Sequence, residues 1–275
     1  MGLLSGKNVL VLGVANKHSI AWGVARALHA HGAEIALTYA GPKLEHRVRS
    51  LGKQVEARFV HPCDVSSDEE IDQVFSLYES TVGRLHGLLH AVAFAPTEDL
   101  NGQFIDISRQ GYLRTLDVSS YSLIAVVRRA VPLMTSGGSI VTMSSYAAER
   151  VFPHYNVMAV AKSALECEVR YLGVELAREN IRVNAISAGL VRTLAAQAMD
   201  NFQPFYRLAR AITPQRRNMT PEDVGGAAVY LMSDLSLAVT GQTLRMDGGL
   251  SALGITVPEG YRLDDADEDD GETVS

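Results

Sequence analysis

Hydrophobic positions along the chain follow two rhythms. Short, unbroken apolar runs alternate with longer stretches in which apolar residues return every three or four positions. Asn8-Val9-Leu10-Val11-Leu12, ended by Gly13, predicts a strand buried on both faces, as parallel sheets require. Ser19 then precedes Ile20, Ala21, Val24, Ala25 and Leu28, a helical face with Gly32 as its stop. Further strands are expected at Glu34–Tyr39, Val55–Val60, Leu88–Ala93, Gly138–Met143, Ile181–Ile186 and Thr243–Met246. Helices are expected at Leu44–Leu51, Asp68–Val82, Asp117–Leu133, Tyr155–Glu179 and Pro221–Ser233. Strands alternating with helices predict an α/β fold: one domain, 1–262, built on a doubly wound parallel sheet of about seven strands with helices on both faces. Crossovers in such a sheet are right-handed in nearly all cases. Residues 190–217 interrupt the alternation with a mixed apolar and basic stretch and read as a lid over a site.

Composition narrows the function. The 275 residues are 47% hydrophobic and 20% charged, which suffices for a full core and excludes disordered and fibrous classes. The net charge of -6 is unevenly spread. Seven acids lie between Asp264 and Glu272, and no Lys or Arg follows Arg262. Removing them leaves 24 acids against 25 bases, a near-neutral body that argues against nucleic-acid binding. Residues 263–275 form an acidic tail, expected to be flexible or pinned to a basic patch on a neighbouring subunit. Cys63 and Cys167 lie far apart with no CxxC partner, so neither a disulfide framework nor a metal site is expected. The N-terminus is too short and polar for a signal peptide, and no apolar run approaches a membrane span, so a cytoplasmic protein is expected.

Two segments carry candidate chemistry. The first is Gly13-Val14-Ala15-Asn16-Lys17-His18-Ser19-Ile20, between the first strand and the first helix. A dinucleotide pyrophosphate needs close backbone approach and a helix N-terminus aimed at it. Gly13 and Ala15 permit the approach, and Ser19 can cap the helix. The spacing is not G-x-G-x-x-G, and an ordinary βα turn explains it as well. At the end of the second strand, Thr38-Tyr39-Ala40-Gly41-Pro42-Lys43 holds no acid to read a ribose 2′-hydroxyl. Lys43 can meet a 2′-phosphate, so the residues leave NADH against NADPH open. Asp64, after the third strand, can accept from an adenine amino group or serve as a turn residue.

The second segment runs from Ser144 to Lys162. Tyr155 and Lys162 are seven positions apart, about two helical turns, and so share a helix face. A tyrosine hydroxyl beside a lysine ammonium is a good donor to a developing oxyanion, and the lysine is expected to lower the tyrosine pKa. In isolation, an incidental Tyr and Lys on a helix are equally compatible with that spacing.

Four segments together resemble the short-chain dehydrogenase/reductase superfamily, and within it the divergent branch that holds bacterial enoyl-acyl-carrier-protein reductases. They are Gly13-Val14-Ala15 with Ser19-Ile20-Ala21, His90 through Pro96, Tyr155-x6-Lys162, and Ile186 through Gly189 with Val191 through Ala195. Ordinary members of the superfamily use Tyr-x3-Lys. The likeness runs from about Leu3 to Leu250 and leaves out the tail.

The resemblance implies a Rossmann-type sheet, NADH as the cofactor and a cytoplasmic homotetramer of fatty-acid synthesis. Its substrate would be a trans-2-enoyl thioester on acyl-carrier protein or CoA. By the same resemblance Gly13, Ala15, Ser19, Ile20 and Ala40 cradle the dinucleotide, Asp64 and Val65 hold its adenine, and Val92 lies along it. Lys162 binds the nicotinamide ribose, and Val191, Arg192, Thr193, Leu194 and Ala195 wrap the nicotinamide end. Tyr155 meets the thioester carbonyl, and Ala95, Leu190, Met199, Phe202 and Phe205 border the acyl site. One departure matters. The branch often carries a second tyrosine ten positions before the catalytic one, where this chain has Ser145, with Tyr146 nine before. Either Tyr146 serves, or Ser145 polarises a carbonyl as in the wider superfamily. The second option keeps a carbonyl reductase on the same scaffold open, and a non-catalytic dinucleotide-binding protein is the third alternative.

Overall fold

The computed structural model describes residues 2–197 and 202–255. Its centre is a seven-stranded sheet in the order β3-β2-β1-β4-β5-β6-β7. The strands are β1 (Asn8–Leu12), β2 (Glu34–Tyr39), β3 (Phe59–Pro62), β4 (Gly87–His90), β5 (Gly138–Ser145), β6 (Ile181–Ala188) and β7 (Thr243–Met246). Every neighbouring pair is parallel, with Val11 opposite Leu37 on one side and Leu89 on the other. The order in which strands are added reverses at β1, which puts the ligand crevice at the carboxyl ends of β1 and β4.

Alternation within the strands fills two cores. Val9 and Val11 face α1 (Ile20–Ala30), α2 (Glu45–Gln54) and α10 (Pro221–Met232). Leu10 and Leu12 face the other layer, formed by α3 (Asp68–Thr81), α6 (Ser122–Ala130) and α7 (Asn156–Glu175). A fully buried side chain of this size contributes roughly 1.5–3 kcal/mol, so a strand apolar on both sides is what this layering selects. Helices α1 and α10 cross closely at Gly23, where a Cβ would lie 2.3 Å from that of Pro221.

Several boundaries differ from expectation. The third strand begins at Phe59, because Val55 caps α2 and Glu56 takes a positive φ of 50° in the turn that follows. The fourth strand stops at His90, while β5 and β6 run two residues longer than expected, to Ser145 and Ala188. The helix expected from Asp117 starts earlier, as α5 (Arg109–Leu116) capped by Ser108, and passes through a π-bulge at Asp117–Tyr121 into α6. Tyr155 is the N-cap of α7 rather than its first helical residue, and a 3-10 turn carries the helix from Leu176 to Glu179. Within 190–217 lie α8 (Leu194–Gln197) and α9 (Phe202–Ile212); a short α4 (Thr97–Leu100) follows β4. Met199 and the acidic tail lie outside the described residues. No described helix is long and apolar enough to cross a membrane.

Candidate active site

The cofactor end is built where the sheet order reverses. Gly13 leaves β1 with φ +90°, and a Cβ there would meet the Ala91 carbonyl oxygen at 2.3 Å and Val92 Cγ2 at 3.3 Å. Only glycine lets the β1 and β4 loops approach this closely. Ser19 caps α1: its hydroxyl accepts from Trp22 N at 3.3 Å and donates to Asn16 O at 2.7 Å. The first-turn N–H groups of Ile20 and Ala21 have no partner inside the helix and, in the turn that follows β1, are available to an anion. Gly13's cradle and this helix N-terminus fit a pyrophosphate. Ala15 lies in the same loop, and Ala40 follows β2. Asp64 is engaged as a turn residue, its Oδ1 accepting from Ser66 N at 3.0 Å and Ser66 Oγ at 2.7 Å, which holds its carboxyl below the usual range. Val65 beside it is buried.

The floor of the crevice is tied down from α5–α6. The π-bulge turns Ser119 toward Phe94, whose N–H and carbonyl both meet the Ser119 hydroxyl at 2.9 Å. Such single-turn bulges recur at functional sites. His90 is buried between Thr142 Oγ1 (3.0 Å) and Ser122 Oγ (2.8 Å), and burial lowers its pKa to about 3. It is therefore a neutral spacer. Val92 and Ala95 follow this floor at the carboxyl end of β4.

Tyr155 and Lys162 both lie over the carboxyl end of β5. Tyr155 is held between two residues of positive φ, His154 (59°) and Asn156 (22°). Asn156 donates to the Gly102 carbonyl at 3.2 Å and so ties the tyrosine to the loop after β4. Lys162 is buried and donates to the Met143 carbonyl at 2.8 Å. Burial lowers its pKa to about 8. The expectation that Lys162 depresses the Tyr155 pKa is corrected: burial raises it, and only a hydrogen bond with Ser145 opposes that. The ammonium is turned to the strand carbonyl, which leaves Tyr155 a neutral donor.

Ser145 and Tyr146 point to different tasks. The Ser145 hydroxyl accepts from Ala147 N at 3.3 Å and lies on the Tyr155 side, where it opposes the rise in the tyrosine pKa. Tyr146 instead packs edge-on against Phe152 at 5.8 Å, and Phe152 against Phe205 of α9 at 5.8 Å. This aromatic wall brings the 190–217 segment onto the site. Phe202 is buried and packs on Tyr206 rather than joining the wall. Phe152 was missed in the sequence; an aromatic three residues before Tyr155 was the available signal. The segment after β6 starts with Gly189, whose N–H donates to Met246 O at 2.9 Å, and Leu190. Val191 then bridges Met219, and Thr193 Oγ1 caps α8 by accepting from Ala196 N at 3.0 Å. Arg192 and Leu194 are exposed there, and Ala195 continues α8. The sequence-predicted residues thus follow the carboxyl ends of six strands, β1 to β6.

This sheet, with a Tyr-x6-Lys pair seated over the carboxyl end of its fifth strand, defines a short-chain dehydrogenase/reductase. The family described as enoyl-(acyl carrier protein) reductase matches residues 13–251, and the chain belongs to it. The NADH-dependent enoyl-[acyl-carrier-protein] reductase FabI of Bacillus cereus is 47% identical over 256 residues, covering 92% of this chain and 100% of that one. The crystal structure of the corresponding NADH enzyme from Aquifex aeolicus superposes with a TM-score of 0.90 at 46% identity, covering 92% of this chain and 100% of the other. The enzyme of Anaplasma phagocytophilum, solved in complex with NAD, gives 0.90 at 45% identity, over 93% of this chain and 98% of the other.

Proposed function

We propose that this chain reduces the 2,3 double bond of a trans-2-enoyl thioester of acyl-carrier protein or CoA, with NADH. The observation that carries the reading is half-buried Tyr155 and buried Lys162, both over the carboxyl end of β5, at the crevice that Gly13 and α1 open for a dinucleotide. Relatives at 47% and 46% identity are named as NADH enzymes, which supports NADH where Ala40–Lys43, without an acid, leaves the choice open. Gly13, Ser19, Ile20, Asp64, Val65, Val92 and Val191 to Ala195 would hold the dinucleotide, which supplies the hydride when bound. Tyr155 donates its hydrogen bond to the thioester carbonyl as negative charge grows there. Lys162 would hold the nicotinamide ribose of the bound dinucleotide and add positive potential there. Phe152, Phe205 and Tyr146 exclude water from the acyl chain. Purified protein mixed with crotonyl-CoA and NADH should consume NADH, while a β-ketoacyl thioester in parallel should not; the reverse pattern would establish the carbonyl-reductase alternative.

The split between Ser145 and Tyr146 can be tested. Ser145→Ala removes one neutral hydrogen bond and is expected to lower kcat about fivefold, roughly 1 kcal/mol. Tyr146→Ala is expected to raise KM for the thioester several-fold with kcat nearly unchanged. Steady-state kinetics of both variants decide. A loss beyond a hundredfold in Ser145→Ala would make that serine the carbonyl-polarising group of the ordinary superfamily.

A homotetramer is part of the same proposal. Helices α5 to α7 leave Leu113, Tyr121, Tyr171 and Val174 exposed, Val174 at 76%. Pairing of these helices across two-folds would cover that face. Sedimentation of the full chain should give four times the 29.7 kDa protomer mass, and a monomer would contradict it.

A further inference from the structure

Two carboxylates accompany Lys162 along α7, Glu166 buried and Glu168 half-buried, each anchored by a serine from a different element. Glu166, one turn on, is buried and accepts the Ser144 hydroxyl at 2.5 Å. Ser144 is the strand residue between Met143, whose carbonyl takes Lys162 Nζ at 2.8 Å, and Ser145, which ends β5. Glu168 accepts the Ser120 hydroxyl at 2.5 Å, reaching α7 from the π-bulge. Its other oxygen, Oε2, is buried without a hydrogen-bond partner among the described residues. A buried ammonium with one neutral acceptor is costly unless a counter-charge stands near.

We infer that Glu166 and Glu168 are positioning residues for Lys162, fixing α7 against β5 and the π-bulge and supplying the negative charge that keeps the ammonium in the site. This rests on the reading of Lys162 under "Proposed function". Both carboxyls favour the charged form of Lys162, while burial opposes it. Burial also raises both carboxyl pKa values, and each serine hydrogen bond pulls its own partner back down. The other charged or titratable groups at hand are few. From β4, His90 faces Lys162, and burial keeps it neutral. Glu166 also senses Glu149, Arg170 and Arg245 of β7. Arg245 is held by Glu149 at 2.6 Å.

The alternative is that the two pairs merely staple a helix to its neighbours. The two readings differ in pH dependence. If the carboxylates hold the charge on Lys162, their loss moves its deprotonation to lower pH. The test uses the full chain as wild type, Glu166→Gln and Glu168→Gln. NADH affinity is read from cofactor fluorescence between about pH 6.5 and 9.5, and kcat/KM for crotonyl-CoA is read in parallel. In each Gln variant both quantities should begin to fall about one pH unit earlier than in wild type, since a unit is a tenfold change. They should lie about tenfold below wild type at pH 8.5 and within about twofold at pH 6.5. Glu168→Asp should move the limb back toward wild type. A loss of equal size at every pH, or no loss, overturns the inference. Should a Gln variant fail to fold, Ser120→Ala and Ser144→Ala decide. They keep the carboxylate but remove the bond that favours its charge, so a smaller shift to lower pH is expected, and an unmoved limb overturns the inference. Lys162→Met separates the two levels. Full NADH affinity in that variant removes Lys162 from the cofactor site, whereas lost affinity with unmoved limbs in the Glu variants removes only their role.

Discussion

Replacing Tyr155 by phenylalanine is expected to lower kcat about a hundredfold, while the NADH dissociation constant stays within about twofold of wild type. The hydroxyl is the only part removed, and the ring keeps its place at the start of α7. Its backbone is fixed independently of the hydroxyl, by the carbonyl that accepts Met158 N at 2.9 Å and by Asn156 on the Gly102 carbonyl. A single preorganised donor to an oxyanion in a water-poor site is worth about 3 kcal/mol, which is the hundredfold. Because burial raises the Tyr155 pKa, the group acts as a neutral donor across the working pH range, and no activity limb should trace to it between about pH 6 and 8. Pre-steady-state and steady-state rates with crotonyl-CoA check the prediction. Wild-type kcat in Tyr155→Phe would remove this residue from the mechanism.

The second large effect belongs to Lys162. Lys162→Met keeps the volume and deletes the charge, and is expected to weaken NADH binding at least about tenfold, with a further loss in kcat. Fluorescence titration with NADH measures it. The sign of the pH effect in the wild type follows from the same burial. Lys162 has a folded pKa of about 8 against an ordinary 10.5. Below pH 8 the folded protein bears the whole cost of a buried ammonium. Between these two values the unfolded chain still binds the proton and the folded one does not, so this group's contribution to stability rises with pH. On the proposed role of Lys162, function runs the other way, because the ammonium is the form that would bind the ribose. Opposite trends of thermal midpoint and NADH affinity across that window are the expected signature of a buried functional lysine.

How much of this was legible in the chain depends on what each residue answers to. β1, β2 and β7 could be read to the residue, because Asn8–Leu12, Glu34–Tyr39 and Thr243–Met246 are bounded by turn residues and apolar where the sheet is buried. β3 could not, because Val55–Val60 looks continuous while Glu56 turns the backbone to a positive φ. The early start of α5 was hidden by its polar surface; its Ser108 cap is the signal that was there. Tyr155 and Lys162 were visible as a spacing and became a pair through resemblance. The target of Lys162 was not, since the Met143 carbonyl is brought to it by the register of β5 under α7. The direction of the Tyr155 shift failed for the same reason: proximity in sequence suggested a charge acting on a hydroxyl, and packing turned that charge away. Ser145 ends β5 and caps the 3-10 turn that Tyr146 opens, so these adjacent side chains point apart. Tyr146 reaches Phe152 and Ser145 lies on the Tyr155 side, a division that only the fold reveals.

The central claim is conjugate reduction of an enoyl thioester, and the most direct measurement follows the hydrogen. NADH carrying deuterium at the transferable position of the nicotinamide is incubated with crotonyl-CoA and the full-length enzyme, and the product is examined by NMR. The account predicts butyryl-CoA with deuterium at C3 and a solvent-derived proton at C2. Deuterium on a carbonyl-derived carbon, or at C2, would contradict it.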